Sequence, residues 1–157
     1  MANYYSVTVT PTVLAGAADE NDVIFNPTAI PGAVPTLGGA AKLINVNAVY
    51  YDDYREGFID LYFFEKGDNN LGTLGAAISI SDVDLKANKF LGYLPVTPTI
   101  VGDLIESSAV THDANDMGII LQAASGSSDI FVAGVYKSRA GHTFTADGID
   151  LTFSFES

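Results

Sequence analysis

The heptapeptide "IDLTFSF", Ile149–Phe155, decides the fold class. Ile149, Leu151, Phe153 and Phe155 fall on one side of an extended chain, and Asp150, Thr152 and Ser154 on the other. A helix would scatter those four apolar residues around its circumference; a pleated strand collects them on one face. The same period of two recurs upstream. In "KLINVNAVYY", Lys42–Tyr51, the residues Ile44, Val46, Ala48 and Tyr50 share a side. In "FIDLYFF", Phe58–Phe64, Ile59, Leu61 and Phe63 oppose Phe58, Asp60, Tyr62 and Phe64. "YSVTVT", Tyr5–Thr10, points Val7 and Val9 one way, and "DIFVAGVY", Asp129–Tyr136, is apolar on both faces, as a central strand must be. "AISI" (77–80) and "GIILQ" (118–122) are shorter strand candidates. Between these runs stand the turn formers "KGDNN", "DANDMG", "ASGSSD", "SRAGH" and "ADG". Many short strands with turns between them predict an all-β protein, a β-sandwich or jelly roll.

One helix interrupts this pattern. Ser81 is a suitable N-cap with Asp84 three residues on, and Asp82 and Asp84 suit the positive end of a helix dipole. Val83, Ala87 and Phe90 or Leu91 recur at helical spacing. Gly92 reads as the residue after the C-cap and Pro95 as the stop, giving a short helix at about 82–91. The Pro- and Gly-rich stretch Asn26–Lys42, with Pro27, Pro31 and Pro35, reads as a loop or extended arm, because proline cannot donate to a strand ladder. The run from Lys42 to Phe64 reads as a hairpin closed by "DDYREG" with Gly57 near its end.

Composition sets the limits. A chain of 157 residues, 48% hydrophobic and 17% charged, fits one domain spanning 1–157 and can bury a core. With no cysteine it has neither a disulfide framework nor a thiolate metal site. The opening "MANYYSVTVT" has no basic region followed by an apolar run, so no signal peptide is expected, and no apolar run is long enough to span a bilayer. A formal net charge of −12 would be repelled by a phosphate backbone or an anionic lipid surface, so neither nucleic acid nor membrane is an expected partner.

Candidate chemistry is sparse. His112 and His142 are the only histidines; both sit among turn formers, and no G-x-S-x-G elbow accompanies them. Asp52, Asp53 and Glu56 read as solvated loop carboxylates, not as the spaced pair that glycoside hydrolysis needs. Asp60 differs, because its strand face also carries Phe58, Tyr62 and Phe64; a carboxylate there needs a rim position, a Lys or Arg partner, or a subunit contact. Asp113, Asn115 and Asp116 ahead of Gly118 resemble the start of a calcium loop, but the twelfth position is Ala124 where a bidentate Glu belongs, and an Asx-rich turn is the simpler reading. No cofactor and no catalytic residue is predicted. A sugar-binding sandwich is the alternative function, with Tyr4, Tyr5, Tyr51, Tyr54 and Tyr93 as stacking platforms; the absence of Trp counts against it. A small hydrolase ranks last.

"IDLYFFEKGDNN", then Ala76–Leu94 with "AISISDVDL" and "FLGY", then Gly118–Phe155 with "AASGSSDIFVAGVYKSRAGHTFTADGIDLTFSF", is similar in phrase and order to a family of tailed-bacteriophage virion proteins. The first 40 residues carry little of that likeness. The resemblance implies a non-enzymatic virion structural protein, a decoration or cement protein on the capsid exterior, made in the host cytoplasm. It implies two partners, the major capsid protein and further copies of itself. A homotrimer would match the threefold points of a shell. The residues expected to make such contacts are Pro27, Pro31 and Pro35 in the arm, Tyr4 and Tyr5 in the first strand, and Tyr54 in the aromatic loop.

Overall fold

In the computed structural model the described residues are 1–51, 58–97, 103–105 and 109–157, with backbone alone described at 103–105 and 109–117. The strands are β1 (Tyr4–Val9), β2 (Gly16–Ala18), β3 (Val23–Ile30), β4 (Ala40–Tyr50), β5 (Ile59–Phe64), β6 (Phe90–Val96), β7 (Asp103–Ile105), β8 (Ala109–Gln122), β9 (Ile130–Tyr136), β10 (His142–Phe144) and β11 (Ile149–Glu156). One helix, α1 (Asp82–Asn88), lies between β5 and β6. The strands form a five-stranded sheet ordered β1-β11-β4-β8-β7, a four-stranded sheet ordered β3-β9-β5-β6, and a small β10-β2 pair. Every pairing is antiparallel.

Setting aside the three short strands β2, β7 and β10, the order β1-β11-β4-β8 facing β3-β9-β5-β6 is that of a double-sheet jelly roll. The expected fold class is therefore the observed one. The core lies between the sheets. Ile149, Leu151, Phe153 and Phe155 of β11 meet Ile59, Leu61 and Phe63 of β5 and Ile130, Val132 and Tyr136 of β9, all buried. Phe63 and Phe153 touch edge to face at a centroid distance of 6.0 Å. Gly134 leaves room for the Phe25 ring; a Cβ there would stand 2.2 Å from a ring carbon.

Several expectations are corrected. The stretch from Lys42 to Phe64 is not a hairpin: β4 pairs with β11 and β8, β5 pairs with β6 and β9, and the two strands belong to opposite sheets. Loop length suggested the hairpin, but period two does not encode a strand's neighbour; the loop itself, with Asp52, Asp53, Tyr54 and Glu56, lies outside the described residues. Ile44 does not share the buried side with Val46. A bulge between Leu43 and Asn45 reverses the alternation, so Leu43 is buried and Ile44 only half-buried.

That bulge also accounts for "DANDMG". The predicted turn is absent; Asp113–Gly118 runs inside β8, with Asn47 opposite Asp113, Asn45 opposite Asn115 and Leu43 opposite Ile119. Asp116, Met117 and Gly118 thus lie opposite Ile44 alone, and Gly118 takes the left-handed conformation (φ 60°) that the extra residues require. His112 is likewise in β8, opposite Ala48, and His142 begins β10 with its ring 4.7 Å from that of Phe144, so neither histidine is on a loop. "AISI" forms no strand; Ala77 makes a single bridge to Asp22.

The helix starts as expected. Asp84 N–H donates to Ser81 Oγ at 3.2 Å, and Ser81 Oγ–H donates to the Asp84 carboxylate at 2.7 Å. It ends earlier, at Asn88, with Lys89 left-handed at φ 53°. Gly92 and Pro95 are not its terminator but part of β6, and Pro95 is tolerated because β6 is an edge strand. Its inward residues are Leu85 and Asn88, whereas Val83 and Ala87 are exposed.

Of the segment expected to be a loop or extended arm, Asn26–Lys42, only residues 31–39 are loop, and they are not an arm. Asn26–Ile30 belongs to β3 and Ala40–Lys42 to β4. Between them Ala33 and Val34 are buried in the core, and Val34 N–H and Gly38 N–H donate to Ser128 O and Ser127 O. Pro27 sits in edge strand β3 where its pairing with β9 is irregular, so no ladder bond is lost.

Candidate interaction surface

The outer face of the four-stranded sheet carries the odd chemistry of the molecule. Apart from Asp60, the outward residues of β5 and β9 are Tyr62, Phe64, Phe131, Ala133 and Val135, apolar where a sandwich surface is usually polar. They need a cover, and α1 with the segment that precedes it supplies it: Leu71, Leu74, Ile80 and Leu85 pack on them as a second, smaller core. Two asparagines fix this cover. Asn26 in β3 accepts Leu71 N–H at 2.8 Å and donates to Gly72 O at 2.9 Å, a side-chain amide imitating a strand partner. Asn88 at the end of α1, fully buried, accepts Asn69 N–H at 3.0 Å and donates to Asn69 O at 2.7 Å.

The cover is incomplete. A groove of about 190 Å³ opens between Tyr62, Phe64, Leu71, Ile78, Leu85 and Phe90. The aromatic rings continue past it along β6: Phe90 lies 5.8 Å from Phe64 and 6.1 Å from Tyr62, and Tyr93 stacks on Tyr62 at 6.0 Å. Phe90 is 47% exposed, Tyr93 57% and Val83 75%. The bulge of β6 opposite Phe63 and Phe64 is what turns both Phe90 and Tyr93 outward on this edge.

Asp60 lies beside this strip, opposite Pro95 and Val135. It is buried, and Lys137 Nζ approaches its carboxylate at 4.0 Å while Tyr62 O–H donates to it at 3.4 Å. A basic partner is one of the three settings expected for a carboxylate on this strand face. Burial raises the Asp60 carboxyl above the usual carboxylate range, against the opposing pull of Lys137 and the Tyr62 hydroxyl. Tyr62 is raised in turn, by burial first and then by the negative charge of Asp60.

The residues chosen from sequence do not converge. Tyr4 is exposed at one end of β11, its hydroxyl donating to Glu156 at 3.2 Å, while Tyr51 is at the other end, donating to Asp150 at 2.8 Å. Those bonds raise both phenols. Tyr93 is on the opposite sheet, so these three tyrosines do not make one sugar platform. Tyr5 is half-buried, stacked on Phe155 at 5.6 Å with its hydroxyl donating to Ala33 O at 2.9 Å. Pro31 and Pro35 are exposed on the loop between β3 and β4, Pro27 is half-buried, and Tyr54 lies outside the described residues. The side chains of Asp113, Asn115 and Asp116 lie outside them too; among the described residues no three His, Cys, Asp or Glu side chains gather as metal ligands. Sequence alone does not reveal Phe90 and the groove, because "NKFLGY" reads as a helix terminus; the signal is Phe90 and Tyr93 beside the glycine of a strand.

No protein-family model matches the chain, and no curated protein matches it. Two solved structures are similar over 99% of its length: the tomato aspermy virus structure, at 12% identity with a TM-score of 0.41 and 76% of that chain covered, and the Desmodium yellow mottle tymovirus structure, at 11% identity with a TM-score of 0.30 and 85% covered. Likeness at that level settles neither family nor function.

Proposed function

We propose that this chain is a non-enzymatic structural protein of a virion, which decorates or cements a tailed-phage head by packing alone. The observation that carries the reading is the aromatic strip of β6, Phe90 and Tyr93, exposed beside an apolar groove. A contiguous exposed apolar patch on a β-sandwich marks a contact surface, and aromatic residues are enriched in such surfaces. Three further points support it. The jelly roll recurs in capsid subunits, although it also serves lectins. Residues 76–94 and 118–155 are similar to phage virion proteins. A net charge of −12 keeps a protein made in many copies soluble at high local concentration.

On this reading the whole chain acts as one unit on the capsid exterior after synthesis in the host cytoplasm. The major capsid protein is the partner of the β6 strip, and further copies of the chain are its second partner. Ala33 and Val34 hold the loop between β3 and β4 in the core, so it cannot reach out as a free arm, although Pro31 and Pro35 on it remain exposed.

Co-sedimentation with empty heads tests the proposal. Wild-type protein pellets with heads, and a Phe90→Asp, Tyr93→Asp double variant stays in the supernatant while still melting cooperatively. A double variant that pellets as well as wild type overturns the role of the strip. A wild-type protein that never pellets but binds defined glycans on an array replaces the reading with a sugar-binding module.

A further inference from the structure

The four edge strands of the two large sheets are not protected alike. Edge strand β3 carries Pro27 and two register irregularities against β9. Edge strand β6 carries Pro95 and a bulge against β5. Edge strand β7 is three residues long. These are the devices by which sheets avoid edge-to-edge pairing. Edge strand β1 has none of them. "YYSVTV" contains no proline, no glycine and no charge, and its six residues pair with β11 without a register shift.

The hydrogen-bond phase shows which groups of β1 face outward. Asn3 and Ser157 exchange both of their backbone bonds at 3.0 Å, so theirs is a hydrogen-bonded pair. Such pairs alternate along an antiparallel ladder. Tyr5, Val7 and Val9 therefore bond to β11, and the N–H and C=O groups of Tyr4, Ser6 and Thr8 point away from it. Among the described residues no strand lies on that side of β1. Tyr5, Val7 and Val9 are also only half-buried, so the inner face is left partly open at this edge.

We propose that β1 is a self-association edge, at which a second copy of this chain pairs its own β1 antiparallel about a twofold axis. The β3 and β6 edges are interrupted and β7 is short, so the strand best matched to an open β1 is another β1, and a contact of that kind closes as an isologous dimer. The sequence is self-complementary in this sense. With Val7 on the axis, Tyr5 stands opposite the partner's Val9 on the inner face. Ser6 stands opposite the partner's Thr8 on the outer face, where both already belong to hydroxyl ranks with Ser154 and Thr152 at 2.9 Å. The outward groups of Ser6 and Thr8 then form the bonded pairs, which joins two five-stranded sheets into one. A strand without charge makes this possible despite the acidity of the chain. The inference does not depend on the virion reading.

Sedimentation equilibrium of the purified chain, without heads, tests it. The expected mass is twice 16.5 kDa for wild type. Ser6→Pro removes an outward N–H and spares every backbone bond to β11, so it halves the mass while the protein still melts cooperatively. Thr8→Lys, an edge charge that leaves the backbone intact, does the same and decides the matter if Ser6→Pro does not fold. In a chain without cysteine, Val7→Cys crosslinks to itself on oxidation, because residues on the axis approach within disulfide range. A wild-type monomer, a trimer, or a dimer that survives both edge variants overturns the proposal.

Discussion

The two outer faces of the sandwich differ in kind. On the four-stranded sheet, Tyr62, Phe64, Phe131, Ala133 and Val135 face outward and are roofed by Leu71, Leu74, Ile80 and Leu85. On the five-stranded sheet the outward residues of β1, β11 and β4 form ranks of small polar groups: Ser6, Ser154 and Asn45 in one, Thr8, Thr152 and Asn47 in the next. One face is a second core under a lid; the other is left to water. The difference shows that a strand apolar on both sides signals a cover elsewhere in the chain, not only a central place in its sheet. The same contrast locates the two contact surfaces proposed above. The strip of β6 is where the roof stops short, and the β1 edge is where the polar face ends without a guard.

The contrast is tested most severely at Phe64. Phe64→Ala removes a fully buried ring from the roofed face and should lower stability by about 3–5 kcal/mol in denaturant titration. A loss no larger than that of a surface residue would mean that the roof contributes nothing. Asn88→Ala should cost about 1–3 kcal/mol, since it strands the Asn69 N–H beneath the roof, and hydrogen exchange of residues 67–75 should accelerate more than that of β11. Ser81→Ala deletes the cap of α1 and should cost about 1 kcal/mol.

Asp60 gives a smaller effect with a defined sign. Its carboxyl is raised in the folded state, so the native protein holds more protons than the unfolded one just above pH 3.8. Stability from this group therefore falls as pH rises from the unfolded value through the folded one, and is flat beyond it. Asp60→Asn should remove that decline and shift neutral-pH stability by less than about 1 kcal/mol, because the lost pair with Lys137 is long. A steeper decline in the variant would reverse the assignment. Thr152→Ala, on the open polar face, should stay within about 0.5 kcal/mol of wild type; a loss like that of Phe64→Ala would erase the difference between the faces.

Much of this was legible in the chain. "IDLTFSF" named its buried side correctly to the residue, "DIFVAGVY" its central place, and Ser81 with Asp84 the start of α1. The carboxylate at Asp60 called for a rim position, a basic partner or a subunit contact, and Lys137 stands beside it. The candidate surface was less legible, because Phe90 and Tyr93 follow a helix so closely that Gly92 and Pro95 read as its end. Turn residues also proved ambiguous: "DANDMG" is a bulge inside β8, since glycine and Asx residues suit any left-handed or irregular backbone, not turns alone.

The sequence by itself determined which segments extend, which sides of them are apolar, and that the fold is a β-sandwich, because period two is a local property that each strand carries alone. Only the tertiary structure decided that β4 and β5 lie on opposite sheets, that Asn26–Lys42 is held in the core, and that β1 is an unguarded edge. Those are relations between segments distant in the chain. They are set by which backbone ladders close and which apolar faces find a cover, and no stretch of residues contains its own partner.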